Sequence, residues 1–384
     1  MGLGPPYIGI FPPLNPAVVA RRPARPLPFP LEEPTCRLYL EARQGLWSAL
    51  KGIGIGPGDE ILAPAYHHGS EIEAVVRTGA KCRFYDCVAT FEPDEEELER
   101  LLTPSVRALY VIHSLGFAQD GARWRRWCDE RGLLLVEDAA QGWLSSRDGR
   151  PVGAGADVTL FCLYKAFGVA DGGAVSSRAF AEPAPTEDGL GARGTAGRMA
   201  DWAAQRSQLA ATLFRHRRHP PSQDEDPNVH FALTAVDERA TRATRALLSR
   251  VVDADAPSRR RAHFARLAER LGDVRSPAFA HMPPESSPLV FPIEVPDKRA
   301  VVDRLERDGI VQTRGWTVPH PTLDAARHPG AAALRARLVG LPVHQELRKV
   351  DVERIADAVT SAMQQRDPTS VSGAPARRGP GRDR

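Results

Sequence analysis

Leu133–Gln141 reads LLLVEDAAQ, and Val158–Gly173 reads VTLFCLYKAFGVADGG. Each opens with an apolar run of strand length and breaks at its carboxyl end into charged residues: Glu137 and Asp138 in the first, Lys165 in the second. Runs that are apolar throughout, instead of alternating, belong to strands covered on both faces. Working outward, strands are expected at 61–64, 79–86, 108–113 and 174–176, and helices at 41–50, 71–77, 92–102 and 124–131. This alternation predicts an α/β fold, a large and mainly parallel sheet with helices on both faces. Such sheets hold ligands at the carboxyl ends of their strands. Asp86, His113, Asp138 and Lys165 all fall there.

The rest of the chain sorts by composition. Residues 1–35 are rich in proline and read as an extended arm, lying on the body or on a neighbouring subunit. Residues 36–250 form the large domain. Within it, 183–226 reads as irregular and 232–252 as one long helix. From 251 to 365 the pattern is that of a smaller α+β domain, with helices at 259–271, 298–307 and 352–363 and a strand at 289–295. The tail 366–384 has little to bury and is expected to be disordered.

The chain has 384 residues, 42% of them hydrophobic and 26% charged, enough for a sizeable core. A net charge of +3 argues against a nucleic-acid surface built on bulk charge. The Arg-rich tail leaves nucleic-acid binding as the weakest alternative. No apolar run has the length of a membrane span, and the start lacks a basic-then-apolar leader, so a cytoplasmic protein is expected. The five cysteines form no C-x-x-C, which fits reduced thiols and no metal site.

Asp138 and Lys165 carry the chemistry. A carboxylate at the end of a buried strand needs a cation or a hydrogen-bond donor. A protonated pyridine nitrogen meets that need, with Gln141 three residues on to reach a phenolic oxygen of the same ring. Asp138 followed by Gln141 equally has the form of a helix capping box. Lys165 is one of only five lysines. Desolvation lowers a lysine's pKa and frees the amine for imine formation. A lysine snorkelling from a strand end is the alternative.

Together with GPGDEIL (56–62), GAKCRFYD (79–86), IHSLG (112–116) and GLPVHQEL (340–347), these stretches resemble the DegT/DnrJ/EryC1/StrS family of pyridoxal-phosphate (PLP) aminotransferases. The resemblance covers roughly Arg43 to Met363 and implies the fold-type I, aspartate-aminotransferase-like architecture. It further implies that Lys165 holds the cofactor and shuttles the substrate proton, and that Asp138 meets the pyridine nitrogen. Gln141 would lie by the phenolic oxygen. His68, in PAYHHGS, aligns with an aromatic residue that stacks on the ring; it is as easily a loop residue. Gly45 falls where the family binds phosphate at a helix start. Asn228 resembles an asparagine that reaches the phosphate from the neighbouring subunit. Trp316 and His320 lie where the family lines its substrate pocket, although a surface loop is an alternative. His113 is expected to be structural.

Two departures thin the phosphate cup. Leu46 replaces a threonine, and Cys162 stands in for a serine. The family implies a homodimer with shared active sites. The reaction implied moves an amino group from an amino acid such as glutamate to a keto acceptor of the nucleotide-sugar kind. Dehydratases of the family replace the lysine, which is present here. A homologue that has lost PLP and acts as a binding or regulatory subunit is the alternative that Leu46 and Cys162 motivate.

Overall fold

The computed structural model describes residues 5–88, 90–178, 180, 189–213 and 236–364. After a 3-10 turn at Pro16–Ala20 come β1 (Cys36–Tyr39), α1 (Ala42–Gly52), β2 (Glu60–Pro64), α2 (Ser70–Val76) and β3 (Lys81–Tyr85). Then follow α3 (Glu95–Leu101), β4 (Val106–Ile112), α4 (Gly121–Asp129) and β5 (Leu134–Asp138). A two-residue hairpin, β6 (Ser146–Arg147) and β7 (Arg150–Pro151), precedes β8 (Val158–Cys162), the single-turn helix α5 (Leu163–Ala166) and β9 (Gly173–Ser177). Three helices follow: α6 (Ala192–Arg206), α7 (Gln208–Leu213) and α8 (Arg242–Val251). The C-terminal part holds α9 (Ala256–Leu271), β10 (Val290–Glu294), α10 (Lys298–Arg307), α11 (Pro329–Arg337), β11 (Leu338–Pro342) and α12 (Lys349–Gln364).

The main sheet has seven strands in the order β1-β9-β8-β5-β4-β2-β3. Strands β8, β5, β4, β2 and β3 run parallel; β9 is antiparallel to both β8 and β1. The register sets Ile112 of β4 and Leu160 of β8 on either side of Asp138. The carboxyl ends of the three central strands therefore open onto one place.

Alternation along β4 shows how the layers form. Ala108, Tyr110 and Ile112 join Leu46, Leu50, Ile72 and Val75 of α1 and α2 on one face. Leu109 and Val111 join Trp124, Trp127 and Cys128 of α4 on the other. The second cluster runs on into Phe264, Phe291 and Leu305, so the C-terminal part shares that core. There β10 and β11 pair antiparallel.

Two expectations change. Within 183–226, α6 and α7 are regular helices where irregular chain was expected. Gly194, which weakens a helix on propensity, lets α6 come close to Ala170. The long helix expected from 232 begins only at Arg242, because the Thr241 side chain accepts the Thr244 N–H and caps it there. The arm lies on this chain's own body: Tyr7 N–H donates to the Ala204 carbonyl, and Ile8 forms a bridge with Ile310. The tail 366–384 lies outside the described residues.

Helix α1 seats on β9 through a glycine. A Cβ on Gly173 would collide with the backbone N and Cα of Ala42, the first residue of α1. Gly173→Ala should therefore cost roughly 1–3 kcal/mol by overpacking, measured as a lower urea midpoint; an unchanged midpoint would contradict this seating.

Candidate active site

Asp138 is the last residue of β5 and is buried. Its Oδ2 accepts from the Tyr110 hydroxyl at 2.8 Å, and its Oδ1 accepts from the Ala140 N–H at 2.8 Å. Both partners are neutral donors. Burial first, and the nearby Glu71 carboxylate second, push the Asp138 carboxyl up to about 6, against the pull of the two hydrogen bonds and Lys165. The strand places a carboxyl here that lacks a directly bonded cation among the described residues.

Lys165 follows on the next strand. β8 ends at Cys162, and the one-turn helix α5 turns Lys165 out, half-buried. Its ammonium has no hydrogen-bond or ion-pair partner among the described residues, yet its charge is felt by both Asp138 and Cys162. The return is tight: Leu163 N–H donates to Gly172 O, and Gly172 N–H donates to Leu40 O, both at 2.9 Å. Gly172 adopts φ +111°, which a side chain would resist. This knot joins the lysine turn to the start of α1.

Gln141 is buried, and its Oε1 accepts the Leu115 N–H at 2.8 Å. That bond holds a loop residue at φ +55° and leaves the amide NH2 as the end that can meet a ligand. His68 is exposed, with Nδ1 3.1 Å from Ser70 Oγ and its ring 6.4 Å edge-on from Trp316. Trp316 packs against Tyr66 at 5.2 Å. His68 and Trp316 thus come together from distant parts of the chain.

Sequence reasoning missed Glu71. It is buried, and it accepts N–H groups from His68 at 2.9 Å and Gly69 at 3.2 Å. Burial alone would raise it, but His68, His67 and the loop donors outweigh that and hold it below the usual carboxylate range. Of the two neighbouring carboxyls, Asp138 is the first to take a proton as pH falls, and Glu71 keeps its charge to lower pH. Tyr110 was also missed, although its place two residues before the end of an alternating strand marks it as facing the same side as Ile112.

Several expected residues do other work. Gly45 does not stand at the helix start. It is the fourth residue of α1, where a Cβ would meet Tyr39 and Val175 at 2.5 Å, so it is a packing glycine. Leu46 is fully buried in the core and offers nothing to a phosphate. The helix start is Glu41–Arg43, where Arg43 Nε donates to Glu41 Oε2 at 2.7 Å. Cys162 is buried, its thiol paired with the Tyr164 hydroxyl and pushed up by burial. His320 is not free for substrate: Nε2 meets Glu73 Oε2 at 2.8 Å and Nδ1 meets Thr322 Oγ1 at 2.8 Å. His113 lies between Glu137 at 2.9 Å and the Gln119 N–H at 3.1 Å, a structural bridge. Asn228 lies outside the described residues.

Residues 41–182 match the model of the DegT/DnrJ/EryC1/StrS aminotransferase family. Similar proteins include a dTDP-3-amino-3,4,6-trideoxy-alpha-D-glucose transaminase of Streptomyces venezuelae, 38% identical over 33% of this chain and 35% of that protein. A UDP-N-acetyl-3-dehydro-alpha-D-glucosamine 3-aminotransferase of Acidithiobacillus ferrooxidans is 26% identical over 82% of this chain and 80% of its own length. The chain spans about a third of the length of the first relatives it matches. Among solved structures, the aminotransferase TlmJ from Streptoalloteichus hindustanus is 23% identical, with a TM-score of 0.59 over 86% of both chains. The PLP form of the sugar aminotransferase Spr1654 from Streptococcus pneumoniae is 20% identical, with a TM-score of 0.64 over 95% of this chain and 99% of that one. The fold is that of these aminotransferases, as the resemblance implied.

The raised Asp138 carboxyl has a consequence for stability. A carboxyl raised on folding contributes fully at low pH, and its contribution is lost as pH rises through about 6. Asp138→Asn should therefore melt higher than wild type at pH 8 and no higher at pH 4, with no cofactor added. A difference that does not change with pH would show that Asp138 is already paired.

Proposed function

We propose that this chain, whose residues 41–182 belong by sequence to the DegT/DnrJ/EryC1/StrS family, is a PLP-dependent aminotransferase. It takes an amino group from an amino acid, glutamate first among candidates, and gives it to a keto group of a nucleotide-linked sugar or related precursor. The observation that carries the reading is the nearness of a lysine amine and a buried carboxyl, neither of which has an oppositely charged hydrogen-bond partner among the described residues. A protonated pyridine ring answers the second and a carbonyl answers the first. The donor set fits the cofactor.

Bound there, PLP supplies an electron sink that makes a substrate C–H bond acidic. The chain's own residues do the rest. Asp138 would hold the proton on the ring nitrogen; Tyr110 and Ala140 hold Asp138 in place. Lys165 Nζ would hold the cofactor at its carbonyl carbon, with loss of water, and, once the substrate amine has displaced it, would move a proton at the substrate carbon. The NH2 of Gln141, left over from the bond to Leu115, would donate to the phenolic oxygen. His68, which has Trp316 beside it, would cover the outer side of the ring and the substrate.

The phosphate falls to the start of α1, where the positive helix pole and Arg43 stand. An arginine in a first helical turn works against the helix dipole unless an anion meets it. Glu41 supplies that anion in this structure; with the cofactor bound, its phosphate would be the anion that Arg43 meets. We assign the active form to a homodimer with shared active sites. No helix among the described residues is long and apolar enough to cross a membrane.

Purified protein mixed with PLP should turn yellow, and glutamate should bleach the colour until a keto acid restores it. Lys165→Ala should not develop the lysine-bound band. Arg43→Gln should weaken PLP binding by roughly tenfold or more, the worth of a charge-assisted contact, and leave pyridoxal, which has no phosphate, unchanged. A wild-type protein that cannot be loaded would overturn the enzymatic reading in favour of a non-catalytic binding subunit.

A further inference from the structure

The helix that carries Lys165 cannot hold itself. α5 is four residues long, and a single turn fixes many dihedrals for one hydrogen bond, here Phe167 N–H to Leu163 O at 2.8 Å. Its last carbonyls have no partner within the helix. Those of Lys165 and Ala166 are met from a distant part of the chain. Arg260 Nη2, on α9, donates to Lys165 O at 3.2 Å and Ala166 O at 2.9 Å. Gln345 Nε2 donates to the same Ala166 O at 2.9 Å, and Arg260 Nε donates to Gln345 Oε1 at 2.9 Å, which closes the ring of contacts.

Arg260 is 2% exposed and has no carboxylate partner among the described residues. A guanidinium buried without a counter-ion is costly, and burial alone pulls it down to about 10. The carbonyl end of a helical turn offsets part of that cost, because it carries negative charge. The planar fork of arginine also spans two consecutive carbonyls while still reaching Gln345, which a lysine cannot do. His344, adjacent to Gln345, is buried beside the Gly9 backbone of the arm, and a Cβ on Gly168 would collide with Pro13 and Leu14 of the arm. Three segments distant in sequence therefore close around the lysine turn.

We propose that Arg260, supported by Gln345, is the positioning residue for Lys165: it fixes the backbone from which the reactive amine projects and ties that backbone to the C-terminal part of the chain. The inference rests on Lys165 as the cofactor-bearing lysine. Arg260 spends its contacts on backbone behind the lysine, so its loss should impair bonding of the cofactor to Lys165 and spare the affinity of the rest of the site.

Pyridoxamine phosphate separates the two, since it forms no bond to lysine. The comparison is between Arg260→Met, Arg260→Lys and Gln345→Leu in the full chain. The rate at which PLP joins the lysine is followed in the visible band, beside the Kd of pyridoxamine phosphate. Arg260→Met should slow attachment at least tenfold, a barrier change of about 1.4 kcal/mol, with the pyridoxamine phosphate Kd within twofold of wild type. Arg260→Lys should recover part of the rate. Gln345→Leu, which keeps the guanidinium, should slow attachment by about fivefold, the worth of one hydrogen bond, and carries the test if Arg260→Met does not fold. Attachment at the wild-type rate in both variants would overturn the proposal. So would a pyridoxamine phosphate affinity that falls in parallel, because that would make the contact a general prop of the fold. A wild-type protein that binds pyridoxamine phosphate but never joins PLP to lysine overturns the assignment of Lys165, and one that binds neither overturns the cofactor reading; either takes this inference with it.

Discussion

A carboxyl buried at the end of a central strand, beside a second carboxyl, organises this molecule. Burial makes the charge on Asp138 costly, and among the described residues its hydrogen-bond donors are neutral, Tyr110 and the Ala140 amide. Glu71 makes matters worse for Asp138 by keeping its own charge through the 68–70 loop and the two histidines. Among the described residues the end of β5 is thus short of one positive charge, which the ring nitrogen of the proposed cofactor would supply. An active site that is less stable empty than it needs to be is the usual mark of a group waiting for its ligand.

The surrounding structure serves to bring that carboxyl and one amine together. The parallel register of β4, β5 and β8 sets three carboxyl ends level. Glycines at 172 and 173 let the chain turn back beneath α1. The lysine turn, too short to stand alone, borrows its rigidity from α9 and from the segment around Gln345. Elements far apart in sequence thereby become one support.

Much of this was legible in the sequence because buried parallel strands announce themselves as unbroken apolar runs, and charged residues at their ends stand out against them. What was not legible depended on register or on tertiary contact. Gly45 looks like a helix-start glycine, but the capping pair Glu41 and Gln44 sets the start three residues earlier, with Glu41 N–H donating to Gln44 Oε1 at 2.9 Å. Glu71 looks like an ordinary acid at the beginning of a helix; only the sheet brings it to Asp138. Arg260 sits in the run Arg259–Arg261, which reads as a solvated charged face, yet the middle arginine points inward. His320 looked available for substrate because sequence does not show that Glu73 and Thr322 take both ring nitrogens.

The central claim is that one particular amine, Lys165, is the group the cofactor joins. The chain has five lysines, at 51, 81, 165, 298 and 349, so the claim has four built-in controls. Borohydride reduction of the PLP-loaded protein, followed by proteolysis and mass spectrometry, assigns the adduct to a peptide. The account predicts a stoichiometric phosphopyridoxyl group on Lys165 and none above background elsewhere. An adduct spread over the exposed lysines, or absent from Lys165, would contradict it.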